Sequence, residues 1–505
     1  MKLRKEVEAT RRSYHLEPTL NSVHRSSLLV PEIPGSIAEI SFLNHFLIKR
    51  NNKYVACRIT AIDLEGRRIE SRQYQIDEPR VYTFTLSGMV NISVSTYLVE
   101  FFSSANLFIP FPAVMIMHRG PGFLNQVHAY NRILNDIFEE DVVNKVPVRE
   151  ASIDLDLNEN SSTFVIFTAG QFECEGELVF QILTATNVYS ITYPLKIKRF
   201  GNQRIVIREI FPNLPADIKG VLKIQQPSQV FFYGRLMVGK CLSGCDTFSA
   251  NHSYYDSSET HEYWDNNLSL RFFPFFQELE NRVCLYPIAS PSTLRISILV
   301  VSVDGLKQRE VEVGILTSPG PELIDVSVTS LAKVLGFPVR EIGSFAVKAY
   351  SDTGRIPTRI SQQLIYGKNK LPSSINVILV NSEEFVPTGR NGLTWGQSVI
   401  GSHYDSWLGI IHRGMPEPEN LEDNDLIEVT FYDLTGEIAR RTWRTSYGVA
   451  IRLSIKEELA NEIGKLSDEI PTYIWWVITT PKPVYYAYSV TVNQKTGNCS
   501  GEHGF

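Results

Sequence analysis

The sequence predicts an all-β protein of tandem sandwich-like domains, and three observations carry that prediction. Short β-branched and aromatic runs of strand length recur along all 505 residues. Asp/Gly turn signals follow several of these runs, and a histidine in a polar loop ends each of four successive blocks. The unit, on the order of 100 residues, is far longer than a solenoid repeat and matches a domain that buries its own core. Short helical insertions are expected between strands.

The blocks follow one another as a flexible N-terminal arm over 1–35 and four sandwich repeats over 36–145, 146–264, 265–412 and 413–505. The arm mixes charge with Pro18, Pro31 and Pro34 and shows no sustained apolar period. Block one opens with Ile40 to Leu43, Tyr54 to Ile59 and Val81 to Leu86, and Asp63-Leu-Glu-Gly66 sits where a hairpin must turn. Asp and Gly suit that place because their backbones tolerate left-handed conformations. Asn131 to Val143 has the composition of a short linking helix.

Block two carries the alternating Ser152 to Leu157 and the runs Phe164 to Phe167, Leu178 to Leu183, Val188 to Ile197 and Ile205 to Ile210. Its long apolar stretch Val230 to Val238 reads as a buried strand. Block three shows Leu294 to Val303 running into Asp304-Gly305 and the return strand Glu310 to Ile315, with a helical turn at Leu331 to Leu335. In block four Asp433-Leu-Thr-Gly436 repeats the first block's turn after the strand Leu426 to Tyr432. A helix-like Glu457 to Leu466 precedes the aromatic strands Tyr473 to Ile478 and Tyr485 to Val492.

Composition excludes several classes. A formal net charge of -6 and a pI near 6.0 supply no overall field for nucleic acid or an anionic membrane. The first residues are charged and lead into no apolar h-region, and no run reaches the length of a membrane-spanning helix, so a cytoplasmic protein with no membrane span is expected. Six scattered cysteines do not make a disulfide framework. Cys241 and Cys245 are the one close pair, without the second pair that a zinc site needs. No nucleophile elbow, phosphate loop or His-Glu-x-x-His occurs, and no motif asks for a cofactor.

The candidate site residues are the four histidine endings and the aromatics beside them. They are His128; His252 with Tyr254, Asp256 and Trp264; His403 with Trp395, Asp405 and Trp407; and His503. Imidazole titrates near neutrality and ligates metals, and a neighbouring carboxylate can orient it or share the ion. A planar ring beside carboxylates and amides suits a sugar, whereas alternating aromatics on a strand fill a core. The tetrapeptide Gly501-Glu502-His503-Gly504 is similar to one near the C-terminus of FAD-linked oxidases of the glycolate and lactate dehydrogenase type. The chain has no α/β nucleotide-binding pattern to accompany it, so the stretch is read as the last repeat ending, with Phe505 packed on its own domain.

Two functions remain open at this point. One is a non-catalytic binding or assembly protein that meets a protein or glycan partner through His and aromatic loops. The other is a metal-dependent hydrolase or isomerase using His252, Asp256, His403 and Asp405.

Overall fold

In the computed structural model every long strand run pairs antiparallel with its neighbours, and the pairing follows one plan four times over. The structure describes residues 2–3, 25–103, 113–133, 149–170, 172–227, 232–242, 244, 246–255, 262–285, 290–317, 323–358, 360–367, 371–379, 391–412, 425–467, 469–481 and 485–505.

Sandwich 1 is made, in order, of Arg25–Pro31, Ile37–Leu43, Val55–Asp63, Arg68–Ile76, Val81–Thr85, Val94–Ser103, Met115–Gly120 and Phe123–His128. Sandwich 2 uses Arg149–Leu157, Ser161–Thr168, Cys174–Leu183, Val188–Ile197, Asn202–Val206, Ile218–Gln225, Met237–Leu242 and Phe248–His252. Sandwich 3 uses Leu268–Pro274, Asn281–Leu285, Leu294–Ser302, Gln308–Leu316, Ile324–Ser327, Ile342–Ser351, Ser361–Tyr366 and Ser373–Ile378. Sandwich 4 uses Gly392–Ile400, Tyr404–His412, Asp425–Asp433, Gly436–Thr445, Ile451–Ser454, Thr472–Thr480, Tyr485–Asn493 and Cys499–His503. In all four, one sheet runs first, sixth, third, fourth strand and the other runs fifth, second, seventh, eighth. Fold class and fourfold repetition are therefore as the sequence predicts.

Local chemistry explains the shared plan. The hairpin joining third and fourth strands in sandwich 1 turns at Gly66, whose φ of 75° lies in the left-handed region, and Asp63 Oδ1 accepts from the backbone N–H groups of Glu65 and Arg67. In sandwich 3 Gly305 does the same with φ 76°, and Asp304 Oδ1 accepts from Leu306 N–H. Beyond the fifth strand, sandwiches 2, 3 and 4 each insert a short helix: Ile207–Ile210, Val328–Val334 and Ile455–Glu458. The serine ending the fifth strand caps the last two, with Ser327 Oγ accepting from Ser330 N–H and Ser454 Oγ from Glu457 N–H. The first residue of each helix, Ile207, Val328 or Ile455, is buried and turns the helix onto its sandwich.

Cores fill between the sheets. Phe167, Leu178, Phe180 and Leu222 meet in sandwich 2, and Ile410, Phe431, Ile474 and Trp476 in sandwich 4. Fourth strands alternate instead. In Arg68–Ile76 and Val188–Ile197 one face of the strand is largely exposed, as an outer edge with one wet face requires.

The chain divides into two compact units, one comprising Arg11–Tyr255 with Leu434–Gly436 and the other Met1–Thr10, Asp256–Asp433 and Glu437–Phe505. Within the first, sandwiches 1 and 2 are joined. Phe200, held at φ 59°, packs with Leu29, Ile62 and Leu98 of sandwich 1, and Arg199 Nε donates to Gly66 O at 2.9 Å. The eighth strands of the two sandwiches also meet, with Phe123 and Phe248 ring centroids 4.9 Å apart and Ala250 N–H donating to Asn125 Oδ1 at 2.6 Å. Within the second unit, Arg271 of sandwich 3 donates through Nε to Tyr488 OH at 2.9 Å and lies 3.9 Å from the Tyr486 ring centroid, both tyrosines belonging to sandwich 4. The eighth strands meet here too, where a Cβ on Gly501 would come within 3.0 Å of Ile375 and Ser373.

Several expectations need correction. Arg25–Pro31, assigned to the arm, is an inner strand paired on both sides, because Leu28, Leu29 and Val30 are completely buried. Lys2–Leu3 also pairs, parallel to Glu262–Asp265. The strands around His403 belong to sandwich 4, pairing with Thr472–Thr480 and Tyr485–Asn493, so that ending is a turn inside the fourth repeat. Asn131–Ile133, expected to start a helix, is a strand, and most of that segment lies outside the described residues. The helix expected over Glu457 to Leu466 is limited to Ile455–Glu458. Among the described residues no helix is long and apolar enough to cross a membrane.

The Gly66 turn yields a first test. A Cβ there would lie 2.6 Å from Arg199 O, whereas one on Gly88, also at positive φ, meets nothing within 4 Å. Both Gly→Ala variants pay about 1 kcal/mol for the left-handed backbone. Chemical denaturation is expected to show Gly66→Ala costing about 1–3 kcal/mol more than Gly88→Ala.

Candidate functional site

Three of the four eighth strands end in histidine, and the structure gives two of those endings one local geometry. His252 Nδ1 sits 2.6 Å from Ser253 O, and His252 N–H donates to Asn251 Oδ1 at 2.8 Å. At the equivalent place in sandwich 4, His503 Nδ1 is 2.8 Å from Gly504 O and His503 N–H donates to Glu502 Oε1 at 3.0 Å. A carbonyl oxygen can only accept, so Nδ1 of both histidines carries a proton. The residue after each histidine then ties the ending down: Ser253 N–H donates to Leu236 O, and Gly504 N–H to Ala487 O. Phe505 stacks on Trp475 at 6.1 Å, and its N–H donates to Trp395 O. The third eighth strand ends at Ile378.

In the first unit the arrangement brings two of the sequence-predicted residues together. His128 and His252 close adjacent eighth strands, are 7 % and 1 % exposed, and meet edge to face with ring centroids 4.5 Å apart. Their ring nitrogens fall within 4.8 Å of each other. Arg235 Nη1 lies 3.1 Å from Nδ1 and 3.4 Å from Nε2 of His252, so near to both that it faces the ring. Two imidazoles at this spacing can share a cation or a hydrogen-bonding ligand. In the second unit Glu502 Oε1 stands 3.8 Å from His503 Nε2.

His403 and Asp405 fare differently. The His403 carbonyl accepts from Gln494 N–H at 2.7 Å, which ties its turn to the far end of the seventh strand. The Asp405 carboxylate accepts from Ser406 N–H at 2.7 Å, Ser454 Oγ at 2.8 Å and Lys456 N–H at 3.1 Å. Those bonds brace the short helix after the fifth strand, so the sequence neighbours His403 and Asp405 serve separate local ties.

The aromatics expected on loops all lie in strands. Trp264 is buried in Glu262–Asp265 opposite Ile356, and Tyr254 pairs with Ala151. Trp395 is half-buried in the first strand of sandwich 4, and Trp407 of the second strand packs on the sandwich 3 core. Asp256 lies outside the described residues.

Sequence reasoning passed over His118, which is completely buried on the seventh strand of sandwich 1. Its Nε2 lies 2.9 Å from Pro31 O, and burial pushes its pKa down to about 4. Arg271 was likewise missed, because a strand arginine carries no signal of burial until its tyrosine partners, some 200 residues on, are known. Cys57, Cys174, Cys241, Cys284 and Cys499 are buried, and burial pushes the Cys174 thiol up to about 11. Such thiols are poor nucleophiles at neutral pH.

No family model matches the chain, and no curated protein does. Among solved structures, it is similar to a tetra-tandem repeat from the extending region of a large adhesion protein, at 10 % identity over 94 % of this chain and 97 % of that one, with a TM-score of 0.10. The first three fibronectin-type domains of chicken CNTN1 give 10 % identity over 70 % and 97 %, also at 0.10. Native E. coli alpha-2-macroglobulin gives 8 % identity over 93 % of this chain and 28 % of that one, at 0.08.

Two outcomes are expected from these sites. His118 is neutral in the fold and takes up a proton in the unfolded chain near its ordinary value of 6.5, so stability is full above that pH and falls as pH drops toward about 4. The loss is on the order of 3 kcal/mol, and His118→Gln should flatten it in urea titrations run across that window. Asp405→Ala removes the acceptor of three hydrogen bonds and should cost about 2–4 kcal/mol by the same method, a cost that a mere surface carboxylate would not show.

Proposed function

We propose that the chain is a non-catalytic binding or assembly protein. The observation that carries this reading is the use of one eight-stranded plan four times, with sandwiches tied in pairs inside each unit. Repetition of a scaffold multiplies presented surface and rewards avidity, whereas a single reaction needs one convergent site. The partner is a protein or a glycan. For a glycan, the half-buried Trp395 supplies the planar ring, and His128, His252, Tyr254, Asp256, Trp264, His403, Asp405, Trp407 and His503 make up the remaining candidate set.

A second reading, metal binding, is favoured by the His128–His252 spacing. Two imidazoles, one with its tautomer set by a backbone carbonyl, offer the donor type that first-row divalent cations prefer. A metal-dependent hydrolase or isomerase would be its catalytic form.

Binding and metal assays on the full chain separate the readings. The assembly reading expects saturable binding of a polysaccharide or protein without turnover, weakened about tenfold or more in Trp395→Ala if the ligand is a sugar. Turnover abolished by His252→Ala would overturn it. Stoichiometric zinc, iron or manganese in purified protein, lost in both His128→Ala and His252→Ala while the fold persists, is the outcome the second reading requires.

A further inference from the structure

Each sandwich leaves its fourth strand as the outer edge of one sheet, which gives the chain four equivalent edges to compare. Three of them carry dispersed charge: Arg68, Glu70 and Arg72 in sandwich 1; Arg309, Glu310 and Glu312 in sandwich 3; and Glu437, Arg440, Arg441 and Arg444 in sandwich 4. Charge on an edge strand is a common guard against pairing with another chain, because an added strand would bury it or set like charges opposite one another. The edge of sandwich 2, Val188–Ile197, has no charge from Val188 to Leu195 and is rich in β-branched and aromatic residues.

Backbone geometry on this strand is well defined. It pairs with Cys174–Leu183 without a register shift over ten consecutive residue pairs, with Pro194 opposite Glu177. Proline has no N–H to give, so within an unbroken ladder its nitrogen belongs on the outward side. Antiparallel alternation then sends the N–H and C=O groups of Val188, Ser190 and Thr192 outward as well. The side chains of these three residues are exposed, while Tyr189, Ile191 and Tyr193 are half-buried and pack on the sandwich 2 core.

We propose that Val188–Tyr193 is a self-association strand, taken up by the same strand of a second copy of this chain in an antiparallel pair. About a two-fold axis at Ser190, Ser190 faces its own copy and each Val188 faces the partner's Thr192. Every outward N–H and C=O of the three residues then finds a partner, making about six hydrogen bonds. Val, Ser and Thr side chains oppose one another on the exposed face and Tyr189 meets the partner's Ile191 on the other, with no like charges set face to face. Pro194 falls outside the paired segment and ends it, so the pairing stays short and reversible rather than running on into a fibril. A second copy is the favoured occupant because the strand is uncharged from Val188 to Leu195 and matches its own hydrogen-bonding pattern, whereas each of the other three edges brings charged side chains into any such pair. The inference is independent of what the tandem array binds.

Sedimentation velocity over a wide concentration range tests this with the full chain. The wild-type protein should form a reversible dimer. Ser190→Lys, at a position exposed in the monomer, sets two ammonium groups directly opposite each other and should weaken dimerisation about tenfold or more. Ser190→Thr should leave it unchanged, and Arg309→Lys, on the equivalent edge of sandwich 3, should have no effect. Unaltered thermal melting of Ser190→Lys verifies that the fold is kept. A wild-type protein that stays monomeric at all concentrations, or a dimer equally strong in Ser190→Lys, would overturn the proposal.

Discussion

The eighth strand of each sandwich is the constraint on which the rest depends. It is the outermost strand of its sheet, yet it is buried along nearly its whole length, as in Phe123–His128 and Phe248–His252. Alternation along a strand puts every second side chain on the outer face, and here those positions include Asn125, His252 and Ser373, all almost completely buried. Burying such groups without partners costs about 1–3 kcal/mol each. The pairing of sandwiches within each unit covers these strands, and contacts such as Asn125 Oδ1 with Ala250 N–H offset part of that cost. A single sandwich of this sequence would expose a polar, hydrogen-bond-hungry edge. Two sandwiches tied at that edge do not.

This constraint explains where the histidines went. An imidazole at the end of a buried strand can donate through one ring nitrogen to the carbonyl that follows it, as His252 does to Ser253 and His503 to Gly504. It thereby finishes the strand without stranding a polar group. The tie uses only one ring nitrogen, so a structural role and a ligand-binding role are compatible in one side chain. By contrast, the Asp405 carboxylate accepts three local hydrogen bonds, two of them from Ser454 and Lys456 at the start of its helix.

Much of the architecture was legible because its causes are local. Asp63 to Gly66 and Asp304-Gly305 mark hairpins since a left-handed glycine and a carboxylate acceptor define those turns by themselves, and Asp433 to Gly436 again places a glycine at positive φ. His128, His252 and His503 each close an eighth strand, and an ending is also a local event. The order of strands within the sheets was not legible, because Gly392–Ile400 and Tyr404–His412 look like any buried strands and only pairing with Thr472–Thr480 and Tyr485–Asn493 assigns them to sandwich 4. Arg25–Pro31 was missed for a similar reason: a three-residue apolar segment beside proline and arginine becomes a strand only when two neighbours flank it. The aromatic clusters misled because Trp264 and Trp407 are spaced like loop residues between polar neighbours, while their burial is decided by strands far away in sequence.

Hydrogen–deuterium exchange on the full chain, followed by mass spectrometry, tests the central claim most directly. If the eighth strands are covered by their partner sandwiches, peptides spanning 123–128, 248–252, 373–378 and 499–503 should be protected as strongly as the inner third strands. The fourth strands, with one side open, should exchange much faster. Eighth strands that exchange at the rate of the fourth strands would contradict the account, since the sandwiches would then be independent beads and not interlocked pairs.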